Sequence, residues 1–215
     1  MMDEKVGRDE EQLVMEQLIS FIEKDDIEQF REQFFELHPY EQAQFYEKVT
    51  PPIRQKIYYY LSPQELAEVF QALEIDDDTY VEFLNEMDVS YAAAMLSEMN
   101  TDDVVDVFHE LDDEDRTQYL TLMDDETAEE IHELMQYADY TAGSIMTTEY
   151  VSINENSTTR TAMNILRNEA PTAETIYYIF ITNMKKQVVG VISLRDLIVA
   201  GENVLIRDIM NERVV

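Results

Sequence analysis

Residues 87–134 read MDVSYAAAMLSE MNTDDVVDVFHE LDDEDRTQYLTL MDDETAEEIHEL, four runs of twelve that each open on Met or Leu followed by Asp or Asn. The period extends upstream, because Leu37, Val49, Leu61 and Leu73 are spaced by 12, a step of 14 leads to Met87, and Met99, Leu111, Met123 and Met135 resume the spacing of 12. A fixed period demands a repeated structural unit. Three residues before the landmarks stand Phe34, Tyr46, Tyr58, Phe70, Leu84, Leu96, Phe108 and Leu120, with His132 as the exception. That is one apolar face at helical spacing. Thr50, Ser62, Asp88, Asn100, Asp112 and Asp124 follow their landmarks and can accept from the free N–H groups of a helix start. Pro39, Pro51 and Pro63 sit just inside three of these starts, where a missing N–H costs nothing, and Ser62 with Glu65 forms a capping box. The pattern predicts helices of about ten residues, marginal alone, that bury their Phe, Tyr, Leu and Met positions by stacking into a superhelix. An earlier helix, about Glu10 to Glu23, is expected to cap the stack.

Charge divides the chain in the same way. Of its 215 residues 47 are Asp or Glu and 15 are Lys or Arg, a formal charge of -32; residues 1–140 hold 39 acids and 8 bases, residues 141–215 hold 8 and 7. Gly143, Gly190 and Gly201 lie in the second part and only Gly7 in the first. A boundary is therefore expected near 137–142, giving an acidic helical domain over 1–137. Such charge opposes binding to nucleic acid, whose affinity rests on Lys and Arg displacing counterions. The absence of Cys excludes disulfides, thiolate zinc sites and a Cys nucleophile. The longest purely apolar runs, Ile176–Ile181 and Val188–Ile192, fall far short of the roughly 18 to 20 residues that span a bilayer. The start lacks a signal peptide, and the chain as given is expected to be soluble.

Many acids at the inter-helix corners are accounted for by capping and by the helix dipole. The excess of one sign still opposes compaction, so a cationic partner is expected. Asp102 and Asp106 share a helical face, where like charges cost energy unless a cation lies between them. Carboxylates without Cys or clustered His suit Mg²⁺ or Ca²⁺. Nothing matches an EF-hand loop. His38, His109 and His132 form no metalloprotease pair, and neither a phosphate loop nor a nucleophile elbow is present, so an enzyme is not expected.

From residue 142 the pattern changes. Val151 to Ile153 reads as a strand, Ser157 is placed to cap a helix with Ala162, Ile165 and Leu166 inward, and Pro171 ends that region. Ile176–Thr182 and Val188–Ser193 read as strands of a hairpin turning at 183–186, with a helix over about 195–200 after them. The order is β-α-β-β-α over 138–203. Ile145-Met146-Thr147 followed by Val151 is echoed 64 residues later by Ile209-Met210-Asn211 followed by Val215, so 204–215 reads as the start of a second, truncated copy.

This order, closing on Gly190-Val191-Ile192-Ser193-Leu194-Arg195-Asp196, resembles a CBS domain. Ala142-Gly143-Ser144-Ile145-Met146-Thr147, Ala173-Glu174-Thr175-Ile176-Tyr177-Tyr178 and Ser193-Leu194-Arg195-Asp196-Leu197 resemble the cytosolic region of MgtE magnesium transporters, and the likeness spans essentially the whole chain. It implies the cytoplasmic face of a cell membrane, a C-terminal membrane pore domain as partner, and a homodimer through CBS domains. It also implies Mg²⁺ held between acids of the helical domain and acids of the CBS pair. On that likeness Asp102 and Asp106 are carried over as ligands, and Glu68 from Ala67-Glu68-Val69, whose other reading is a solvated helix face. CBS domains commonly bind adenine nucleotides, which points to Tyr178 for the base and to Ser193, Arg195 and Asp196 for ribose and phosphate, ATP or a relative being the expected ligand. The spacing of Ser193 and Asp196 is also that of an ordinary helix cap. Two further classes stay open: a nucleotide-sensing CBS regulator, and an acidic scaffold for a basic protein.

Overall fold

The computed structural model describes residues 3–138 and 141–213, with side chains from Gln12 onward except Asp77. It divides into two compact units, Met1–Ile145 and Met146–Val215.

The described part of the first unit is helical: α1 (Asp3–Glu23), α2 (Ile27–Phe34), α3 (Pro39–Lys48), α4 (Pro51–Tyr60), α5 (Pro63–Gln71), α6 (Asp77–Asn85), α7 (Val89–Leu96), α8 (Thr101–Glu110), α9 (Asp113–Leu122) and α10 (Asp125–Leu134). The first helix begins earlier than expected. Stacking runs between next-but-one neighbours, α3 on α5, α5 on α7, α7 on α9, and likewise α6 on α8 and α8 on α10. The twelve-residue period is thus one helix plus its corner, while the stacked unit is a helix pair. The 14-residue step falls where the longer corner Ala72–Asp76 separates α5 from α6.

The corners are closed by the expected chemistry. Asp88, Asp112 and Asp124 accept from first-turn N–H groups, and Asp26 and Asp76 do the same. Ser62 with Glu65 and His38 with Glu41 form reciprocal capping boxes, the His38 Nδ1 accepting from the Tyr40 N–H at 3.3 Å. Thr50 departs from expectation, making no side-chain cap. Its helix opens on Pro51-Pro52, which have no N–H, and the first free one, on Ile53, already donates to the Thr50 carbonyl at 2.9 Å. Asn100 also makes no side-chain cap, and nothing in the structure explains it.

Landmark and partner positions form one core. Phe34, Tyr46, Phe70, Leu84, Leu96 and Phe108 are all but fully buried, and Val49, Leu61, Met87, Met99, Leu111 and Met123 lie beside them. Tyr58 and Leu120 are half-buried and pack against the same cluster. Ring packing knits adjacent layers, with Phe70 5.3 Å from Tyr46 and 5.1 Å from Tyr80. Bases are used internally: Arg31 pairs with Glu65, Arg54 with Glu86, Lys56 with Asp25 and Arg116 with Asp113. Of the six bases of this unit with described side chains, four are thus paired.

Arg31 holds Glu65 by two bonds, Nη2 to Oε1 at 2.5 Å and Nη1 to Oε2 at 2.9 Å. That guanidinium lowers the Glu65 carboxyl to about 2, aided by donation from Ser62 and opposed by burial. A depressed folded value means the pair stabilises fully above the unfolded value of about 4.5 and loses its effect as pH falls toward 2. Glu65→Gln should therefore flatten part of the acid-side decline in urea midpoint between about pH 4.5 and 2. Parallel declines in both proteins would refute this assignment.

The second unit contains β1 (Tyr150–Asn154), α11 (Thr159–Glu169), β2 (Thr175–Thr182), β3 (Val188–Ser193) and α12 (Leu194–Val199). Its sheet has the order β1-β2-β3, β1 parallel and β3 antiparallel to β2. Alternation directs Val151, Ile153, Ile179, Ile181 and Ile192 inward, where Ala162, Leu166 and Leu197 of the two helices cover them. Ser157 is not the cap of α11. Thr158 takes that place, its hydroxyl accepting from the Thr161 N–H, while the Ser157 carbonyl accepts from Ile206. Residues 204–211 complete this same core: Ile206 is fully buried, and Ile209 and Met210 pack beside it. Val215, on which the echo of Val151 depends, lies outside the described residues.

Candidate functional site

Helix α8 turns Val104, Val105 and Phe108 into the core. The geometry of a helix then places Asp103, Asp106 and Glu110, at spacings of three and four, on another face. These three carboxylates rim a cavity of about 170 Å³ whose floor includes Phe70, Tyr80 and Met99. The Tyr80 hydroxyl is held neutral, its pKa pushed up first by burial and then by the charge of Asp103, and it donates to Met99 Sδ at 3.4 Å. Asp102 is half-buried in the first turn of α8, one turn before the exposed Asp106.

Glu68 is exposed on α5 and does not line this cavity. Among the described residues no group of three or more His, Cys, Asp or Glu side chains converges closely enough to cage a metal ion. The structure thus puts Asp102 and Asp106 on one helix and leaves Glu68 apart. In the sequence Asp103 reads only as a corner acid and Glu110 is not singled out, although their three- and four-residue spacing to Asp106 places them on its side of the helix. The donor set is hard oxygen, the right kind for Mg²⁺, which dehydrates reluctantly and takes one or two carboxylates while keeping several waters. An open acidic face suits such an ion better than a tight cage.

The four nucleotide candidates lie together at one end of the sheet. Tyr178 on β2 pairs directly across from Ser193, the last residue of β3, and is 64% exposed. Ser193 caps α12: its hydroxyl accepts from the Asp196 N–H at 3.1 Å and donates to Asp196 Oδ2 at 2.7 Å. Arg195 and Asp196 are exposed on the first turn. A hydroxyl, a carboxylate, a guanidinium and an aromatic face within one corner can meet a base and a sugar phosphate.

The described residues thus form an acidic unit of stacked short helices followed by a β-α-β-β-α module. Residues 37–140 match the MgtE intracellular N domain, and residues 142–203 match the CBS domain. The magnesium transporter MgtE of Enterococcus faecalis is 56% identical over 206 residues, 96% of this chain and 45% of that protein. That of Bacillus subtilis is 31% identical over 92% of this chain and 44% of its own. Among solved structures, the soluble part of a magnesium transporter superposes with a TM-score of 0.92 at 48% identity, covering 95% of this chain and 80% of that one. The cytosolic domain of the Mg²⁺ channel MgtE in complex with ATP gives a TM-score of 0.79 at 31% identity, over 92% and 80% of the two chains. The chain belongs to the MgtE magnesium transporter family. It spans less than half the length of those two full-length relatives, which are named as transporters and not as enzymes. Among the described residues no helix is long and apolar enough to cross a membrane.

Proposed function

We propose that this region is a cytosolic Mg²⁺ sensor that closes a magnesium pore carried elsewhere in the full-length protein. The acidic face of α8 is the observation that carries this reading: Asp103, Asp106 and Glu110 side by side, with Asp102 one turn from Asp106, in a domain where four of the six bases with described side chains pair with acids of the same domain. At low Mg²⁺ such a face repels acids on CBS domains, on a dimer mate and on itself. Hydrated Mg²⁺ bridging Asp102, Asp106 and Glu68 to CBS-side acids removes that repulsion and favours a closed state. Each ion is held weakly by few carboxylates, and several acting together make closure steep. The region would lie at the cytoplasmic face of the membrane as a homodimer through its CBS domains, coupled to a C-terminal pore domain.

Small-angle scattering during a Mg²⁺ titration at constant ionic strength tests the idea, with K⁺ as control, on a chain that includes both CBS domains. Mg²⁺ should compact the protein where K⁺ does not. The pair Asp102→Asn and Asp106→Asn should raise the Mg²⁺ midpoint roughly fivefold or more. Equal compaction by K⁺ would reduce the effect to charge screening, and an unmoved midpoint would remove these two residues from it.

ATP binding at Tyr178, Ser193, Arg195 and Asp196 is the second reading. It is favoured by the ATP-bound state of a relative at 31% identity and by the clustering of the four side chains at one sheet end. ATP added to the same titration should shift the Mg²⁺ midpoint in the wild type and not in Asp196→Ala. No basic protein partner is needed for either reading.

A further inference from the structure

The cavity beside α8 offers more than carboxylates. Phe70 and Met99, 1% and 8% exposed, lie deepest in its lining, with the half-buried Tyr80 and Val107 beside them. Of the three acids on its rim, Asp106 and Glu110 are exposed to solvent. No Lys, Arg or His is among the described residues that line it. Acids alone on a helix face are met by water and small ions. A hydrated divalent ion would use this rim but gain nothing from the floor, since it keeps several of its waters. An apolar and aromatic floor under negative charge suits a cation with a hydrocarbon body, which buries its methylenes and sets its charges against carboxylates and ring faces. The rim also has a direction. Asp103, Asp106 and Glu110 follow one another at three and then four residues, rises of about 4.5 and about 6 Å along α8. Ammonium groups joined by chains of three or four methylenes stand a similar distance apart.

We propose that this cavity binds a linear aliphatic polyamine, its ammonium groups on Asp103, Asp106 and Glu110 and its methylene chain over Phe70, Tyr80 and Met99. Such a ligand meets the two halves of the lining at once, where a bare charge meets one. Asp106 also belongs to the proposed Mg²⁺ face, so a polyamine seated here would take one of that ion's carboxylates and compete with it. The binding itself rests on the floor and on the spacing of the acids, and does not depend on Mg²⁺ sensing.

Titration calorimetry on this chain at constant ionic strength tests it, comparing spermidine, fully protonated at neutral pH, with hexaamminecobalt(III), which carries the same triple charge and has no methylenes. Spermidine should bind in one saturable phase, at least roughly tenfold tighter than the cobalt complex. This comparison needs no variant. Glu110→Gln, at an exposed position, should weaken spermidine roughly threefold or more. Glu47→Gln, which removes one charge from an exposed position of α3 outside the lining, should leave its affinity unchanged. Equal affinity for the two trications would reduce the effect to charge attraction and overturn the proposal, as would equal weakening by the two variants. Compaction by Mg²⁺ in a protein that shows no preference for spermidine would overturn this inference and leave the sensor reading standing. Preference for spermidine without Mg²⁺ compaction would do the reverse.

Discussion

Arg54→Ala should cost the helical unit about 3 kcal/mol or more, the loss expected when one member of a buried ion pair is deleted. The Arg54 side chain is only 7% exposed, and its Nε and Nη2 each donate to Glu86 at 2.7 Å. Its Nη1 reaches the Val49 carbonyl at 2.5 Å, and the guanidinium lies 4.4 Å from the Phe83 ring centroid and 5.8 Å from that of Tyr46. Deletion strands the largely buried Glu86 carboxylate, uncovers a helix-end carbonyl and removes a planar group packed against two rings. Arg54→Lys should recover little, because an ammonium cannot reproduce the two-pronged bond or the flat contact. The double change Arg54→Met with Glu86→Leu should restore most of the loss, since apolar groups of similar volume leave no charge behind. Urea unfolding followed by far-ultraviolet circular dichroism, with no Trp available as a probe, measures all three. A loss below about 1 kcal/mol for Arg54→Ala would place this pair with surface ion pairs instead.

Phe70→Ala should cost about 3 to 5 kcal/mol, the range for deleting a buried aromatic ring. Phe70 is 1% exposed, on α5, with Tyr46 5.3 Å and Tyr80 5.1 Å from its ring. Those two residues belong to α3 and α6, so one ring joins three helices. It also floors the cavity rimmed by Asp103, Asp106 and Glu110. Truncation would widen the space beneath the acids and loosen the aromatic stack that positions α6 against α8. Phe70→Leu, closer in volume, should lose markedly less. Equal losses for Ala and Leu would mean that the surrounding rings, not the cavity volume, set the cost.

Much of the architecture was legible because the helical period, the caps and the prolines repeat the same instruction at each corner. The apolar face at Phe34, Tyr46, Phe70, Leu84, Leu96 and Phe108 is buried as the spacing required. The two strands of the hairpin lie where continuous β-branched and aromatic runs placed them. Local errors had local causes. Thr50 precedes two prolines and has no early N–H to accept from, and Ser157 yields the cap to Thr158 because its carbonyl is needed by Ile206.

The chemistry-bearing residues were less evenly legible. Asp102 and Asp106 could be paired from their spacing, since four residues on a helix make neighbours. Whether Asp103 faces the core or a cavity depends on which side of α8 meets α6 and α5, which spacing does not encode. Tyr178 and Ser193 are 15 positions apart in the chain, and only the antiparallel register of β2 and β3 sets them side by side.

Periodicity, capping and the charge divide, all encoded within a few residues, determined the short helices, the β-α-β-β-α order and the acidic character of one half. Tertiary structure decided what depends on contacts between distant residues. It fixed the pairing of next-but-one helices, the use of Arg31 and Arg54 inside the acidic unit, the cavity under Asp106, and the seating of 209–211 beside Gly190. Such contacts are chosen by the joint packing of whole faces, and a one-dimensional pattern names the faces without naming their partners.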